Sequence, residues 1–127
     1  LDKFFGKVKE AHKKTLNKIQ KDGYIETILG RKRRLPLSAA YKGVNARIQG
    51  SAAEIIKTAM VNFPENIIDK MFCQVHDELV FKDLDSKEIK IISEIMCDFK
   101  PFKLKVEYGT GNNWWRACQQ KEGITDD

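Results

Sequence analysis

Between Cys73 and Phe81 the chain reads Cys-Gln-Val-His-Asp-Glu-Leu-Val-Phe, an apolar strand pattern broken by three consecutive polar residues, His76, Asp77 and Glu78. A tight turn at the break makes a strand-turn-strand unit and sets at least one carboxylate at an exposed apex, aimed away from any core. Carboxylate oxygens held in this way suit a hard cation. Mg²⁺ asks for oxygen ligands in near-octahedral geometry, keeps several waters and is usually shared with substrate phosphates, so one or two protein carboxylates suffice. An ordinary polar hairpin turn would use the same three residues and needs no ion.

The elements that must carry this unit can be read from apolar periodicity. Leu1, Phe4, Phe5, Val8, Ala11, Leu16 and Ile19 follow the spacing of one helical face and lysines fill the rest, which predicts a basic amphipathic helix closed by Gly23. Tyr24 to Pro36 has β-branched and aromatic residues around a glycine and a basic cluster, the pattern of a hairpin with its turn near Gly30. Arg31, Lys32, Arg33 and Arg34 would sit together at its tip. Such a cluster suits nucleic-acid phosphates through salt-sensitive, sequence-independent contacts, and serves equally as a solvated basic loop. From Ala52, the residues Ile55, Ile56, Ala59, Met60 and Phe63 predict a second helix, with Ser51 and Glu54 at capping-box spacing and Pro64 stopping it. Leu84 to Phe99 predicts a third helix, capped by Asp85 or Ser86 and closed by Pro101. Phe102 to Tyr108 alternates strictly and reads as a half-buried strand, followed by a Gly-Thr-Gly-Asn-Asn-Trp-Trp loop and a polar tail.

The 127 residues, 42% of them hydrophobic, fit one domain with a real core. Lys and Arg number 23 against 18 Asp and Glu, a net +5 that favours a polyanionic partner without choosing between nucleic acid and an anionic membrane. Three cysteines, Cys73, Cys97 and Cys118, have neither the even count of a disulfide framework nor zinc-ligand spacing, so a reducing compartment fits. No apolar run approaches the roughly 18 residues of a membrane span, and the chain reads as soluble and intracellular. A membrane-surface role lacks the aromatic-rich apolar face that it favours. Leu1 falls directly into a helical pattern without a cap, a hint that the sequence belongs to a longer chain.

Four ordered blocks carry a family resemblance. Gln74-Val-His-Asp-Glu-Leu-Val-Phe81 resembles the third signature motif of family A DNA polymerases. Gly23-Tyr-Ile-Glu-Thr-Ile-Leu-Gly-Arg-Lys-Arg-Arg-Leu-Pro36 resembles the segment that follows that family's nucleotide-binding helix, and Asn45-Ala-Arg-Ile-Gln-Gly-Ser-Ala-Ala-Glu-Ile-Ile-Lys57 resembles the helix after it. Val106 to Trp115 is similar to the C-terminal strand and its closing tryptophan.

The resemblance implies an α+β unit: the C-terminal part of a polymerase palm domain spanning 1–127, with an antiparallel sheet, helices packed on one face, and a flexible tail at 118–127. It implies template-directed DNA synthesis by a DNA-directed nucleotidyltransferase, in replication or repair, within the cytoplasm of a bacterial or phage-infected cell. Asp77 would be one of two aspartates bridging catalytic Mg²⁺ ions, with Glu78 a secondary carboxylate, and His76 would lie against the primer terminus. Asn45 and Gln49, four apart, share a helix face. Amides there could test base-pair shape in the minor groove, where all Watson–Crick pairs present similar acceptors, or could simply face solvent. Arg31, Arg33 and Arg34 would meet DNA phosphates, and Trp114 and Trp115 would act as packing anchors. The implied partners are primer-template DNA, a dNTP and an upstream polymerase portion, with no membrane.

Two departures accompany this. Only Leu37 to Val44 separate Pro36 from Asn45, with Tyr41 where an arginine is expected and Gly43 weakening the helix start. The upstream aspartate and the helix bearing Arg, Lys and Tyr are not in this sequence, so the chain alone should be inactive. The contrasting reading is a non-catalytic basic DNA-binding module that keeps the palm fold.

Overall fold

A computed structural model of the chain describes residues 2–124, and the side chains of residues 5–121. Leu1 and Phe4 of the expected helical face, and the end of the expected tail, lie outside the residues or side chains described. The chain divides into two compact units, Leu1–Glu54 and Ile55–Asp127, where the sequence reading expects one.

In the first unit, helix α1 (Asp2–Asp22) leads through Gly23 into a hairpin of β1 (Tyr24–Glu26) and β2 (Lys32–Arg34), as the periodicity predicts. Gly30 takes φ +83° in the turn, a conformation for which glycine has no steric penalty. A 3₁₀ helix over Leu37–Lys42 then leads into helix α2 (Gly43–Asn62). Ile19, Ile25, Ala40 and Ala46 form the core, with Leu16 and Leu35 against them. Phe5 and Val8, on the same face of α1, remain about half exposed.

Helix α2 corrects the start read from apolar periodicity and agrees with the resemblance, which implies a helix over Asn45–Lys57. It starts at Gly43 rather than Ala52, and Ser51 donates from its hydroxyl to the Arg47 carbonyl at 2.8 Å, a bond made inside a helix and not at its cap. A β-carbon on Gly43 would lie 2.5 Å from Ile19 Cδ1 and 2.9 Å from Thr15 Cγ2. The glycine that weakens helix propensity is what allows α2 to begin close against α1.

In the second unit, the end of α2 is followed by a short helix α3 (Glu65–Ile68), the strands β3 (Met71–Val75) and β4 (Glu78–Phe81), and helix α4 (Ser86–Cys97). Ala59, Phe63, Ile67 and Ile92 are buried, and Leu79 and Phe81 of β4 pack on them, so helices cover one side of this ladder. Phe63 and Phe81 meet edge to face at 5.9 Å. The expected cap of α4 is Asp85, which accepts from the Glu88 amide while Glu88 accepts in return from the Asp85 amide.

The strand expected over 102–108 is broken. Phe102–Lys103 (β6) folds back on Asp98–Phe99 (β5), Leu104 bonds to the Cys97 carbonyl, and Val106–Gly109 (β7) pairs with Lys121–Ile124 (β8). Between β7 and β8 lies helix α5 (Trp114–Gln119), capped by Asn113 accepting from the Arg116 amide at 2.9 Å. Part of the expected flexible tail is therefore helix end and strand. Trp114 and Trp115 are 46% and 69% exposed, so within this chain they do not serve as the packing anchors expected of them.

The fold is α+β, and among the described residues every strand pairing is antiparallel, as expected; there the pairings form four two-stranded ladders, β1–β2, β3–β4, β5–β6 and β7–β8. No helix among the described residues is long and apolar enough to cross a membrane.

Glu88 ties this unit together electrostatically. Lys70 donates to both its carboxylate oxygens at 2.7 and 2.8 Å, and this contact, followed by the Asp85 amide, holds the Glu88 carboxyl below its ordinary value of 4.5. As pH falls, the unfolded chain takes up this proton before the folded chain does. The stabilisation is therefore complete above about 4.5 and is lost as pH drops through the lower folded value. Glu88→Gln should flatten the fall of the unfolding midpoint between neutral and acid pH, measured by denaturant titration. Parallel curves for variant and wild type would contradict this.

Candidate functional site

The β3–β4 ladder positions His76, Asp77 and Glu78. Val75 pairs with Glu78, which leaves His76 and Asp77 as a two-residue turn. Two-residue hairpins need a positive φ at the first central position so that the turn matches strand twist, and glycine is its usual occupant. His76 fills it with φ 54°, at a steric cost on the order of 1 kcal/mol for a side chain in the left-handed region. Gln74 steadies the turn by donating from Nε2 to the His76 carbonyl at 3.0 Å. His76, Asp77 and Glu78 are all exposed, so the apex presents an imidazole and two carboxylates together.

Sequence reasoning gave no role to a lysine beside them. Lys121 Nζ lies 3.8 Å from Glu78 Oε1, with both side chains about half exposed, a loose pair of small energetic weight. No local signal marks Lys121, because pairing of β8 with β7 brings it there.

The donor set at the apex fits Mg²⁺ in part. Asp77 and Glu78 offer hard oxygens without burial cost, and among the described residues no group of three or more His, Cys, Asp or Glu could enclose a metal. Two apical carboxylates match an ion that takes its other ligands from water, a phosphate and a further carboxylate, and do not match a closed protein cage.

The other expected residues belong to the first unit. Asn45 and Gln49 are exposed on one face of α2, with Ile48 and Ala52 exposed between and beyond them, while Ala46, a quarter-turn or so round the helix, enters the core. The basic cluster proves less uniform than its sequence. Tyr24 pairs with Arg34, Ile25 with Arg33 and Glu26 with Lys32, so strand alternation puts Arg34 and Lys32 on one face and Arg33 on the other. Lys32 sits 4.7 Å from the centre of the Tyr24 ring. Arg31 is held by Glu54, Nε to Oε1 at 3.0 Å. Among the described residues Arg33 and Arg34 form no ion pair and are exposed. A recess of about 220 Å³ lined by Lys14, Thr15, Lys18, Ile25, Glu26 and Arg47 contains none of the expected site residues.

Comparison with known proteins finds relatives of one kind. The sequence model of DNA polymerase family A matches residues 2–116. The thermostable DNA polymerase I of Thermus aquaticus is 37% identical over 131 residues, covering 89% of this chain and 16% of that protein. DNA polymerase I of Mycobacterium tuberculosis is 33% identical over 134 residues, covering 90% of this chain and 15% of that protein. Among solved structures, the POL domain of Pol1 from M. smegmatis, in complex with DNA primer-template and dNTP, is similar with a TM-score of 0.80 and 34% identity, covering 92% of this chain and 24% of that one. The chain thus spans about a sixth of the length of the curated relatives it matches.

Proposed function

Because the chain belongs to DNA polymerase family A, matched over residues 2–116, we propose that it supplies part of a nucleotidyl-transfer site for template-directed DNA synthesis. The observation that carries this reading is the two-residue turn that presents His76, Asp77 and Glu78 at an exposed apex, with His76 held in a conformation that glycine would occupy at less cost. A strained residue kept at a turn is a pointer to function.

Asp77, seconded by Glu78, would hold Mg²⁺. An ion held there would supply charge that lowers the pKa of the primer 3′-hydroxyl and neutralises the transferring phosphoryl group. The chain's own residues bind and orient. His76 lies against the primer end, Asn45 and Gln49 meet the minor groove through amides that accept any correctly shaped pair, and Arg33 and Arg34 meet duplex phosphates. The partners are primer-template DNA and a dNTP, which accompany the M. smegmatis relative. An upstream polymerase portion contributes the second aspartate and the helix that binds the triphosphate. The setting is the cytoplasm of a bacterial or phage-infected cell.

The test is dNTP incorporation on a primed template by enzyme reconstituted from this chain and the upstream portion. His76→Gly should relax the turn and leave the unfolding midpoint unchanged or higher, yet lower extension by about tenfold or more through loss of the primer contact. Unchanged extension would take His76 out of the site. Gln49→Ala should alter the ratio of matched to mismatched extension, since it removes a donor worth on the order of 1 kcal/mol, while overall DNA affinity changes little. An unaltered ratio would remove Gln49.

A further inference from the structure

Ser51 and Glu54 stand three apart at capping-box spacing, yet they lie inside α2 and cap nothing there. Their side chains turn instead to the hairpin. The Ile28 amide donates to Ser51 Oγ at 2.9 Å, the Leu29 amide to Glu54 Oε2 at 3.2 Å, the Thr27 hydroxyl to Glu54 Oε1 at 2.7 Å, and Arg31 Nε to the same Oε1 at 3.0 Å. Thr27 and Glu54 are 5% and 8% exposed. The turn is closed on itself as well, because the Arg31 amide donates to Thr27 Oγ1 at 3.0 Å and the Thr27 amide to the Arg31 carbonyl at 3.0 Å. Two side chains of one helix face thus satisfy two backbone amides, a hydroxyl and a guanidinium from the loop joining β1 to β2. Contact this close requires Gly50, where a β-carbon would fall 2.8 Å from Thr27 Cγ2.

We propose that Glu54, with Ser51 and Gly50, clamps the basic hairpin onto the helix that bears Asn45 and Gln49, and that Arg31 is a positioning residue of this clamp and not a phosphate contact. The proposal rests on the polymerase reading above. Its content is geometric: phosphate contacts from Arg33 and Arg34 and minor-groove contacts from α2 can bear on one duplex only if the hairpin keeps a fixed register on the helix. Arg31 spends its guanidinium on a buried carboxylate, and that carboxyl is held below its ordinary value of 4.5, first by the Thr27 hydroxyl and then by the Leu29 amide and Arg31. Among the described residues Arg33 and Arg34 are exposed and form no ion pair, which leaves their guanidinium groups for phosphate.

The test uses the reconstituted enzyme and measures primer-template affinity across a salt series, together with kcat at saturating DNA, for Glu54→Ala, Glu54→Gln, Arg31→Ala, the Glu54→Ala/Arg31→Ala double variant and Gly50→Ala. Each Glu54 variant should weaken binding about five- to tenfold and reduce the slope of log affinity on log salt by about one to two, as phosphate contacts are lost. Hydrogen exchange at the Ile28 and Leu29 amides should quicken, and kcat should stay within about twofold. The double variant should bind within about twofold of Glu54→Ala alone, because two members of one unit are not additive. Gly50→Ala, although alanine is the better helix former, should reproduce the affinity loss with every charge retained.

Losses that multiply in the double variant, with the salt slope falling by about one more, would show Arg31 touching phosphate directly and overturn the proposal. Folded variants, checked by circular dichroism, that bind as the active wild type does would overturn it as well. A wild-type enzyme that binds no primer-template would overturn the polymerase reading itself, a result recognisable before any variant is compared.

Discussion

Asp77→Asn should abolish nucleotide addition by the reconstituted enzyme, by about a thousandfold or more, while primer-template affinity stays within a few-fold. The substitution keeps the size of the side chain and removes only its charge. Because Asp77 is exposed at the second position of a two-residue turn, and asparagine is well tolerated in turns, folding gives no competing explanation for the loss. An amide is a poor ligand for a hard divalent cation compared with a carboxylate, and transfer of a phosphoryl group depends almost wholly on positioning and charge neutralisation. In the proposed arrangement DNA would be gripped by cations and amides elsewhere, and removing a negative charge from its neighbourhood should not weaken that grip. Single-nucleotide incorporation by Asp77→Asn, with DNA affinity measured in parallel, decides the matter. Near-normal incorporation would withdraw Asp77 from the proposed chemistry.

The second large effect concerns the chain by itself. Alone it should incorporate no nucleotide, and mixing with the upstream palm, fingers and thumb should restore activity. In-line transfer of this kind uses two metal ions about 3.5–4 Å apart, and the described residues offer Asp77 and its neighbour Glu78 without a third clustered ligand. One apex cannot fix two ions and a triphosphate. The chain also exposes Leu37, Ile48, Val61 and Phe72 at 62–80% of their surface, so in isolation it should self-associate through apolar contacts. Primer extension by each chain and by the mixture, with size-exclusion chromatography alongside, tests both points. Robust extension by this chain alone would mean that it holds a complete site and that the proposed division of labour is wrong.

What could be read in the sequence was whatever is specified locally. The amphipathic pattern of α1, the turn at Gly30, the break at His76-Asp77-Glu78 and the Asp85 cap each lie within a few residues, and each appears where the pattern puts it. Apolar periodicity alone did not show the start of α2, because tertiary contact with Ile19 and Thr15 overrides the poor propensity of Gly43. Ser51 and Glu54 misled because a capping box and one face of a helix share the same spacing of three. Only the partner distinguishes them, and the partner is a loop more than twenty residues away. β8 escaped for a related reason: Lys121–Ile124 has little strand character, and its register is supplied by β7. Within the proposed site, the residue types were visible and their commitments were not. Nothing in a run of four cations announces that Arg31 pairs with Glu54, Lys32 with the Tyr24 ring, and that Arg33 and Arg34 emerge on opposite faces.

The exposure of Trp114 and Trp115 bears on how this protein can be observed in solution. They are the chain's two tryptophans, side by side at the start of α5, and neither belongs to a core. Indole emission from such positions should lie close to that of a solvated ring in the folded chain as in the unfolded one, so it should change little as either core melts. Tryptophan is nevertheless a side chain that interfaces favour, with a large apolar body and one N–H to satisfy. A blue shift on mixing with another chain would therefore register the covering of α5, separating docking from folding without any added label.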